Sequence, residues 1–488
     1  MKTRGEPRSD GVAPTLPQRT LHRPSLRAGG SRGARAFFAA VRGAFAEFLL
    51  VPTCLIAGFV VLAVITFLID RGEPAWLAPA RQVLQTYVFA DPQAAKDLLG
   101  AIAAGVITIT SITISLLLIA LQQSASALTH QVYDQFLRNW QNQVYFGFFI
   151  GVALYALVTL ASVGPLNPVF GVTVALAATL LALYLLLVLF YTTVHQMRPV
   201  VIIEAIHKHT LAARNVQLGL LRKTRPAPSL DAPVRLSVHA PSHGFVTRID
   251  VAPIAAAADK ATEGVEVVLK VHVGDYVAFG QLIGEIKAQS ASDAKLFDGV
   301  LEEAVWRETK RDIALDPLDG LEELETIGWT SISTAQSDPD AGILTIYSLR
   351  DILARWALAP PRATDADAPP VVYVDDVMPR LLNAFESLAV VASESMQHQS
   401  YAEILRTFDL VFDDLAPALQ QRIEDIVART LSGFGDHILS KELEQAVDGL
   451  IATLSRAGRA ATAASLEAAK DRLAETIGKL GGRATRSS

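Results

Sequence analysis

The stretch LLGAIAAGVITITSITISLLLIALQQ, residues 98–123, contains no Lys, Arg, Asp or Glu. Three other stretches in the first 200 residues share this property, and together they give four predicted spans: Phe48–Ile69, Leu99–Leu121, Val144–Val163 and Val169–Thr193. Each has about 20 residues or more, enough for a helix to cross a hydrocarbon core of roughly 30 Å. A helix in a soluble core is rarely apolar on every face over this length. The sequence therefore predicts an α-helical integral membrane protein with four transmembrane helices.

One face of the second predicted span consists of small and hydroxyl residues. With about 100° between successive residues, six positions fall within about 80° of one another: Gly100, Ala104, Thr108, Ser111, Ser115 and Gln122. In lipid, such a face either allows close helix packing with hydrogen bonds across the contact or lines a water-filled path. Packing is the commoner use. The sequence leaves both open, so this face is a candidate packing or pore-lining surface.

Ionisable residues lie at the ends of the predicted spans. Glu47 and Asp70 flank the first span, and His195 follows the fourth. Proton and ion pumps need ionisable groups at membrane depth. This pattern argues against a proton-coupled transporter and leaves a channel, a sensor or a scaffold.

Charge is distributed unevenly along the chain. Residues 1–42 hold nine Lys/Arg against Glu6 and Asp10, a net charge of +7. Because the net charge of the whole chain is −6, the remaining residues carry −13. Basic residues also follow the fourth span, and an even number of spans puts both basic flanks on one side. We therefore predict a bacterial cytoplasmic (inner) membrane protein with both termini cytoplasmic. The basic arm is predicted to contact anionic lipid, and the acidic remainder argues against nucleic acid.

Beyond the spans the hydrophobic period changes. Four short, β-branched segments are predicted strands: Val234–Val238, Phe245–Ile249, Val265–Val271 and Leu282–Ile286. They predict a small β barrel-like unit, and the pattern is helical from about Ala291 onward. The cytoplasmic part is thus expected to be an α+β region.

The predicted organisation is a basic arm (1–42), a four-helix transmembrane domain (43–195), a helical extension and linker (196–233), the β unit (234–290), a mainly helical segment (291–362), a linker with a short strand (363–376), a helical C-terminal domain (377–480) and a tail (481–488).

The segment HVGDYVAFGQLIGEIK, residues 272–287, is the most specific motif outside the spans. It resembles the second half of a biotinyl/lipoyl-type barrel. The predicted structural turns of the β unit use Gly244, Gly274, Asp275 and Gly280. Carrier domains of that type have a modified lysine at a hairpin tip, usually beside methionine. Lys287 comes too early and has no adjacent methionine. We therefore predict a structural unit with no attached cofactor.

Metal-binding and catalytic patterns are weak. His207 and His209 lie two residues apart, on different faces of a helix, and Pro241 interrupts the pair His239 and His243. The segment 316–320, DPLDG, predicts a turn with a helix-capping aspartate. A phosphate-binding glycine loop and a nucleophile–histidine pair are both absent from the sequence. The sequence predicts no catalytic, metal or cofactor site.

Three groups of residues resemble the bacterial predicted membrane proteins of domain of unknown function 2254. One is Asn142-Gln143-Val144 with Phe148 and Tyr155. The others are residues 244–246 with 273–277, and residues 311–324 with 331–339, where Asp338-Pro339 is retained. The resemblance covers roughly residues 40–430. It implies the architecture of spans, β unit and helices, and carries no activity.

Three functions fit these observations. The first is a homo-oligomer in the lipid bilayer that forms a channel-like assembly with a cytoplasmic regulatory domain. The second is a membrane-anchored sensor or scaffold without a conduction path. A membrane-bound enzyme is third. If the face of the second span is buried within one protomer, it favours the anchor; if it faces a central axis, it favours the channel.

Overall fold

The structure is a computed structural model, and it describes residues 49–87, 92–127, 140–163, 168–196, 198–262, 264–311, 314–333, 338–359, 364–365, 367–434 and 438–476. The predicted basic arm, the tail, Glu47 and most of the loop after the second span lie outside the described residues. The side chain of Gln122 also lies outside them.

Four helices are long and apolar enough to cross a membrane, which confirms the four predicted spans. They are α1 (Leu50–Gly72), α3 (Pro92–Ala127), α4 (Trp140–Ser162) and α5 (Val169–Gln196). The amphipathic helix α2 (Ala78–Tyr87) lies between the first two. One expectation needs correction: α1 continues to Gly72, so Asp70 lies inside the helix and only 1% of it is exposed.

Helix α4 forms the centre of the membrane domain and contacts α1, α3 and α5. Small residues allow it to approach α1 closely. A Cβ at Gly147 would lie 2.7 Å from the Cα of Pro52, and one at Gly151 would overlap the ring of Phe59. These glycines therefore fix the α1–α4 contact by leaving no room for a side chain.

A separate helix, α6 (Pro199–Arg222), follows the last span. Pro199 occupies its first turn, where the absent N–H costs no helical hydrogen bond. Its first half contributes Ile202, Ile203 and Ile206 to the core of the helical domain, whereas Leu221 belongs to the core of the β unit. One helix thus links the spans to both parts of the C-terminal region, residues 198–476.

The β unit contains two sheets around one apolar core. Its strands are β1 (Val234–His239), β2 (Gly244–Ile249), β3 (Val265–Leu269), β4 (Tyr276–Val277), β5 (Leu282–Ala288), β6 (Val305–Glu308) and β7 (Val371–Val372). Its short helices are α7 (Val251–Ala258), α8 (Ala291–Lys295) and α9 (Val300–Ala304). The sheet orders are β1-β5-β3-β7 and β4-β2-β6. The closed-barrel description stays a prediction.

Two strands come from outside the predicted range of the β unit. β6 lies in the segment expected to be mainly helical, and it pairs antiparallel with β2. β7 pairs parallel with β3, although about 100 residues separate them in the chain. Arg225 forms a parallel bridge with Val372, because its N–H donates to the carbonyl of Val371 and its own carbonyl accepts from the N–H of Tyr373.

Seven helices form the rest of the C-terminal region around one large core. They are α10 (Pro317–Ile332), α11 (Pro339–Ala357), α12 (Val377–Glu394), α13 (His398–Val411), α14 (Pro417–Phe434), α15 (Lys441–Arg456) and α16 (Ala460–Thr476). Their amphipathic patterns place leucines and phenylalanines such as Phe385 and Phe408 inside, where the two rings meet edge to face.

Candidate functional site: the α3 face and the polar junction

The predicted face of the second span points away from the rest of the chain. We call Gly100, Ala104, Thr108, Ser111 and Ser115 the α3 face. Gly100 is half-buried and the other four are exposed, while the opposite side of the helix buries residues such as Leu99 and Ile102. Among the described residues, none covers the α3 face. Packing inside one protomer therefore does not explain its composition.

The hydroxyl groups of the α3 face bond to their own helix. Thr108 Oγ1 donates to the carbonyl of Ala104 at 2.8 Å, and Ser115 Oγ donates to that of Ser111 at 3.0 Å. The hydroxyls of Thr108 and Ser115 are thereby satisfied without water and still have lone pairs for a donor on a neighbouring helix or for water. A Cβ added at Gly100 would meet nothing within 4 Å. The face can thus accept a second helix at close range.

Asp70 is the centre of a polar cluster inside the membrane domain that sequence reasoning missed. Its carboxylate accepts hydrogen bonds from the N–H groups of Phe170 at 3.0 Å and Gly171 at 2.9 Å. Tyr155 donates to the carbonyl of Gly171 at 3.1 Å and bonds to Thr66 at 3.0 Å. Asp70 therefore caps the start of α5 from the end of α1. The spacing of Thr66 and Asp70, four residues apart on one helix face, is the signal that could have indicated it.

The predicted turns of the β unit contain residues with left-handed backbone conformations. Gly274 has φ of +95° and Gly280 has φ of +79°. A side chain at Gly274 would also overlap the carboxylate of Asp316, whereas one at Gly280 would meet nothing within 4 Å. Gly244 starts β2, and its Cβ would lie 2.9 Å from the carbonyl of Glu308. Gly274 thus brings the 272–277 loop against the start of α10.

Charged residues from α6, the β unit, α10 and α12 meet around this loop. We call this group the polar junction: Arg214, His272, Asp275, Arg311, Asp316, Asp319, Glu322, Asp375, Asp376 and Arg380. It joins the part of the chain leaving the membrane to both parts of the C-terminal region. Two of the segments that carry the family resemblance, 273–277 and 311–324, lie in it.

Asp275 does more than form a turn. It accepts from the N–H of His272 at 2.8 Å and pairs with Arg380 at 2.7 Å, and Arg380 also pairs with Asp376 at 2.6 Å. Burial alone would raise the pKa of Asp275, but the hydrogen bonds from His272 and Arg380 outweigh it and lower that pKa to about 2. Burial would lower the pKa of His272, yet Asp275 and Asp376 raise it. This cluster connects the β unit to α12.

Arg214 connects α6 to the segment before α12. Its two terminal nitrogens contact the two carboxylate oxygens of Asp375 at 2.9 and 2.6 Å, a bidentate arrangement. The same guanidinium lies 5.4 Å from the ring centre of Trp356 on α11. Arg214 therefore fixes the orientation of α6 relative to two helices of the C-terminal region.

Arg311 is surrounded by carboxylates at the start of α10. It contacts Asp316 at 2.6 Å, Asp319 at 3.3 Å and Glu322 at 2.5 Å. Asp316 also accepts from the N–H of Leu318, so it is the helix cap that the sequence predicted. Burial raises the pKa of Asp316 to about 6 despite Arg311.

Glu323, one turn from Asp319, was not singled out by the sequence. Burial, and then the charge of Asp319, raise its pKa to about 8. Because its spacing from Asp319 is i, i+4, the two carboxylates lie on one helix face and repel each other when both are ionised. Glu323 is therefore a protonated carboxyl at neutral pH.

The histidine and lysine residues considered from the sequence have structural partners or lie apart. His207 pairs with Asp351 at 3.1 Å, while His209 is exposed. Lys287 is partly buried, lies 3.5 Å from the buried Glu266 carboxylate and donates to the carbonyl of Leu230. Within the described parts of the chain, His, Cys, Asp and Glu form no group of three or more that could hold a metal ion.

Comparison with curated proteins and with solved structures gives no match. A protein family does match, over residues 46–397, which is most of the chain and includes the spans, the β unit and the polar junction. The family is described as a predicted membrane protein, in agreement with the four membrane-spanning helices. This chain therefore belongs to the DUF2254 family of predicted membrane proteins.

Proposed function

We propose that this protein forms a homo-oligomeric, channel-like assembly in the membrane, with the α3 face of each copy directed toward its neighbours. The observation that carries this proposal is that none of the described residues covers the α3 face. Lipid gives no hydrophobic force between helices, so small residues that allow close approach are the usual basis of helix association. A face with small and hydroxyl residues that contacted only lipid acyl chains would not take part in helix association.

Symmetry extends this argument. In a closed cyclic oligomer every copy presents the same face to the axis or to the next subunit. Thr108, Ser111 and Ser115 would then form rings of hydroxyl groups, which can replace part of the hydration of a permeating species. The rings nearest the middle of α3 would be those of Thr108 and Ser111.

The C-terminal region is proposed to regulate this assembly. Helix α6 follows α5 with only two residues between them, and the polar junction holds α6 to the β unit and to α12. A displacement of the β unit would therefore be transmitted to the end of the last span. If the assembly has no conduction path, the same link from the last span through α6 to the β unit supports the second candidate, a membrane-anchored sensor or scaffold.

The location and orientation are part of the proposal. Basic residues before α1 and on α6 support a cytoplasmic C-terminal region in a bacterial inner membrane, with both termini on that side. The basic arm is proposed to contact anionic lipid. We also propose that the protein is not an enzyme.

A matched pair of substitutions tests the assembly. Ala104→Leu adds three carbons to the α3 face, and Ala57→Leu adds the same group to an exposed position of α1. If the α3 face is an interface, Ala104→Leu dissociates the oligomer in lipid nanodiscs, as measured by native mass spectrometry, and Ala57→Leu does not. Equal oligomeric states for the wild type and both variants would contradict the proposed interface.

Ser111→Leu separates the channel from the scaffold. In liposomes loaded with a potassium- or chloride-sensitive dye, the wild type should conduct one of the ions. If Ser111 lines the path, Ser111→Leu should reduce the flux at unchanged oligomeric state, because a leucine ring makes a drier constriction. If Ser111 packs against a neighbouring copy, Ser111→Leu should instead dissociate the oligomer as Ala104→Leu does. Oligomers without flux in the wild type would favour the scaffold.

A further inference from the structure

The membrane domain contains a cavity that the proposed function does not use. It lies between α1, α4 and the start of α5 and has a volume of about 300 Å³, which is within the range of small-molecule sites. Three polar residues line it: Asp70, Thr159 and Ser162. The other lining residues are alanines, valines, a phenylalanine, a proline and a glycine. The cavity therefore has a mostly apolar wall with a few polar groups.

The polar groups of the cavity lie near the ends of the helices. Gly72 ends α1 and Ser162 ends α4. With a rise of about 1.5 Å per residue, Asp70 and Thr159 lie about 3–5 Å from these ends, whereas Val64 lies about 12 Å from the end of α1. A ligand in this cavity would thus have its polar group near the membrane surface and its apolar group deeper in the bilayer, which is the orientation of an amphiphile.

The cavity opens toward lipid. Among its lining residues, Val64 is 50% exposed, Val158 is 39% exposed, and Ala161 is exposed as well. Val64 belongs to α1 and the other two belong to α4, so the opening lies between these helices. An amphiphile can therefore enter sideways from the bilayer.

The buried polar groups of the cavity have unused hydrogen-bonding capacity. Thr159 is only 6% exposed, and its hydroxyl forms no hydrogen bond with a described residue, although the Tyr155 hydroxyl is nearby. Asp70 is buried too, and its two oxygens accept one N–H each, from Phe170 and Gly171, out of about four lone-pair positions. A buried polar group without a partner costs free energy, so a ligand that provides one is favoured.

Gly171 allows these groups to come together. A Cβ at this position would lie 2.7 Å from Cγ2 of Thr159 and 3.4 Å from Oδ2 of Asp70, so both side chains border the same point. Ser162 adds a third acceptor, because its hydroxyl donates to the Thr159 carbonyl at 2.6 Å and keeps its own lone pairs. Three acceptor groups therefore line the polar end of the cavity.

The charge of the site favours a cationic ligand. Asp70 is the one ionisable group among the described lining residues. Arg81 lies close to it, but Arg81 pairs with Glu73 at 2.9 Å and donates to the backbone carbonyl of Asp70. Calcium and magnesium ions need about six or more oxygen ligands, which this mostly apolar wall does not provide. A primary ammonium group fits better, because it has three N–H donors for the three acceptor groups.

We propose that this cavity binds an amphiphile with a primary ammonium group, which donates to Asp70, Thr159 and Ser162 while the apolar body of the ligand lies along α1. The ammonium group can come from the head of phosphatidylethanolamine or from a free alkylamine. All of these residues belong to one copy of the chain, so the proposal does not depend on the α3 face.

Two pairs of probes test this site on the full-length protein in detergent. Native mass spectrometry compares retention of phosphatidylethanolamine with that of phosphatidylcholine, whose quaternary head has no N–H. Isothermal titration calorimetry compares hexylamine with hexanol, which carries no charge. We expect a preference of at least about tenfold for the ammonium probe, because a hydrogen bond to a charged group contributes such a factor in affinity. A preference in the first pair identifies the lipid as the source, and a preference only in the second identifies a free amine.

Four variants show whether the preference arises in the cavity. Ala161→Phe fills the cavity from its exposed edge, and Asp70→Asn removes the charge; each should abolish the preference. Thr159→Val retains the shape of the side chain without the hydroxyl and should weaken binding of the ammonium probe severalfold. Ala177→Phe makes the same change as Ala161→Phe at an exposed position of α5 outside the cavity, and it should leave the preference unchanged.

Two outcomes would overturn the proposal. One is equal binding within both pairs of probes, which would leave an apolar cavity without ammonium recognition. The other is a preference that persists in Ala161→Phe, which would place the ligand elsewhere. If Asp70→Asn does not fold, Ala161→Phe and Thr159→Val decide the question, since neither removes the bonds that join Asp70 to α5.

Discussion

In the membrane domain, hydroxyl side chains bond mostly to carbonyls of their own helix, whereas in the C-terminal region charged side chains pair across elements distant in the chain. Thr110 and Thr179 each donate four residues back. By contrast, Arg214–Asp375 joins α6 to the segment before α12, and Arg350–Glu403 joins α11 to α13. Asp70 and Tyr155 are exceptions among the described spans, since the Asp70 carboxylate joins α1 to α5 and the Tyr155 hydroxyl joins α4 to both.

This difference shows that contacts within the chain hold the C-terminal region together more extensively than they hold the spans. The C-terminal region has one large core and cross-linking ion pairs, so its elements hold one another in place. The spans have smaller cores, and none of the described residues covers the α3 face. Within the described spans, the buried carboxylate of Asp70 holds α1 against the start of α5.

The largest effect is expected at Gly274 in the C-terminal region. Gly274→Val imposes a β-branched residue on a positive φ and drives its Cβ into the Asp316 carboxylate. We expect a loss of about 3 kcal/mol or more in the free energy of unfolding, measured by thermal unfolding of the purified protein. Gly280→Val is the control, because φ is also positive there but space is open; it should cost about 1–2 kcal/mol. Equal losses would mean that contact with Asp316 contributes nothing.

An intermediate effect is expected at Asp70 in the membrane domain. Asp70→Ala leaves the N–H groups of Phe170 and Gly171 without their acceptor, and loss of such a cap costs about 1–2 kcal/mol. Unfolding in sodium dodecyl sulfate/lipid mixtures measures this loss. Asp97→Ala changes an exposed aspartate of α3 and should shift the free energy by less than about 0.5 kcal/mol. If Asp70→Ala lowers the free energy of unfolding no more than Asp97→Ala does, the Asp70 carboxylate does not stabilise the contact between α1 and α5.

The smallest effect is expected at Glu323, and it depends on pH. The pKa of Glu323 in the folded protein is raised to about 8 from its ordinary 4.5, so the unfolded chain ionises first. Stability is then fully present below about 4.5 and is lost as the pH rises through about 8. Glu323→Gln removes this loss and should stabilise the protein by on the order of 1 kcal/mol at pH 9, but not at pH 4.

Thermal unfolding of Glu323→Gln across this pH range makes the measurement. Glu322→Gln serves as the control, because Glu322 is more exposed and pairs with Arg311. It should give no gain at pH 9. A Glu323→Gln protein less stable than the wild type at pH 9 would show that the carboxylate is needed in its ionised form.

Hydropathy was sufficient to predict the spans, because burial in lipid requires apolar residues on every face. The strands β1, β2, β3 and β5 were likewise predicted from short β-branched segments. The strand β6, Val305–Glu308, was missed because it is short and is stabilised by pairing with β2, some 60 residues earlier. The Asp70 cluster and the Arg380–Asp275 pair were missed for a similar reason. Periodicity reports which face of an element is buried, and says nothing about the partner that buries it.

The parallel pairing of β7 with β3 has a consequence during protein synthesis. β3 is buried on both faces, yet one edge of it is completed only by Val371–Val372. A ribosome that adds about 5–20 residues per second needs roughly 5–20 s to proceed from Leu269 to Val372. For that time the nascent β unit exposes an unpaired edge of Val and Leu residues beside a membrane already holding the spans. A chaperone that binds nascent chains would protect this edge from pairing with another chain.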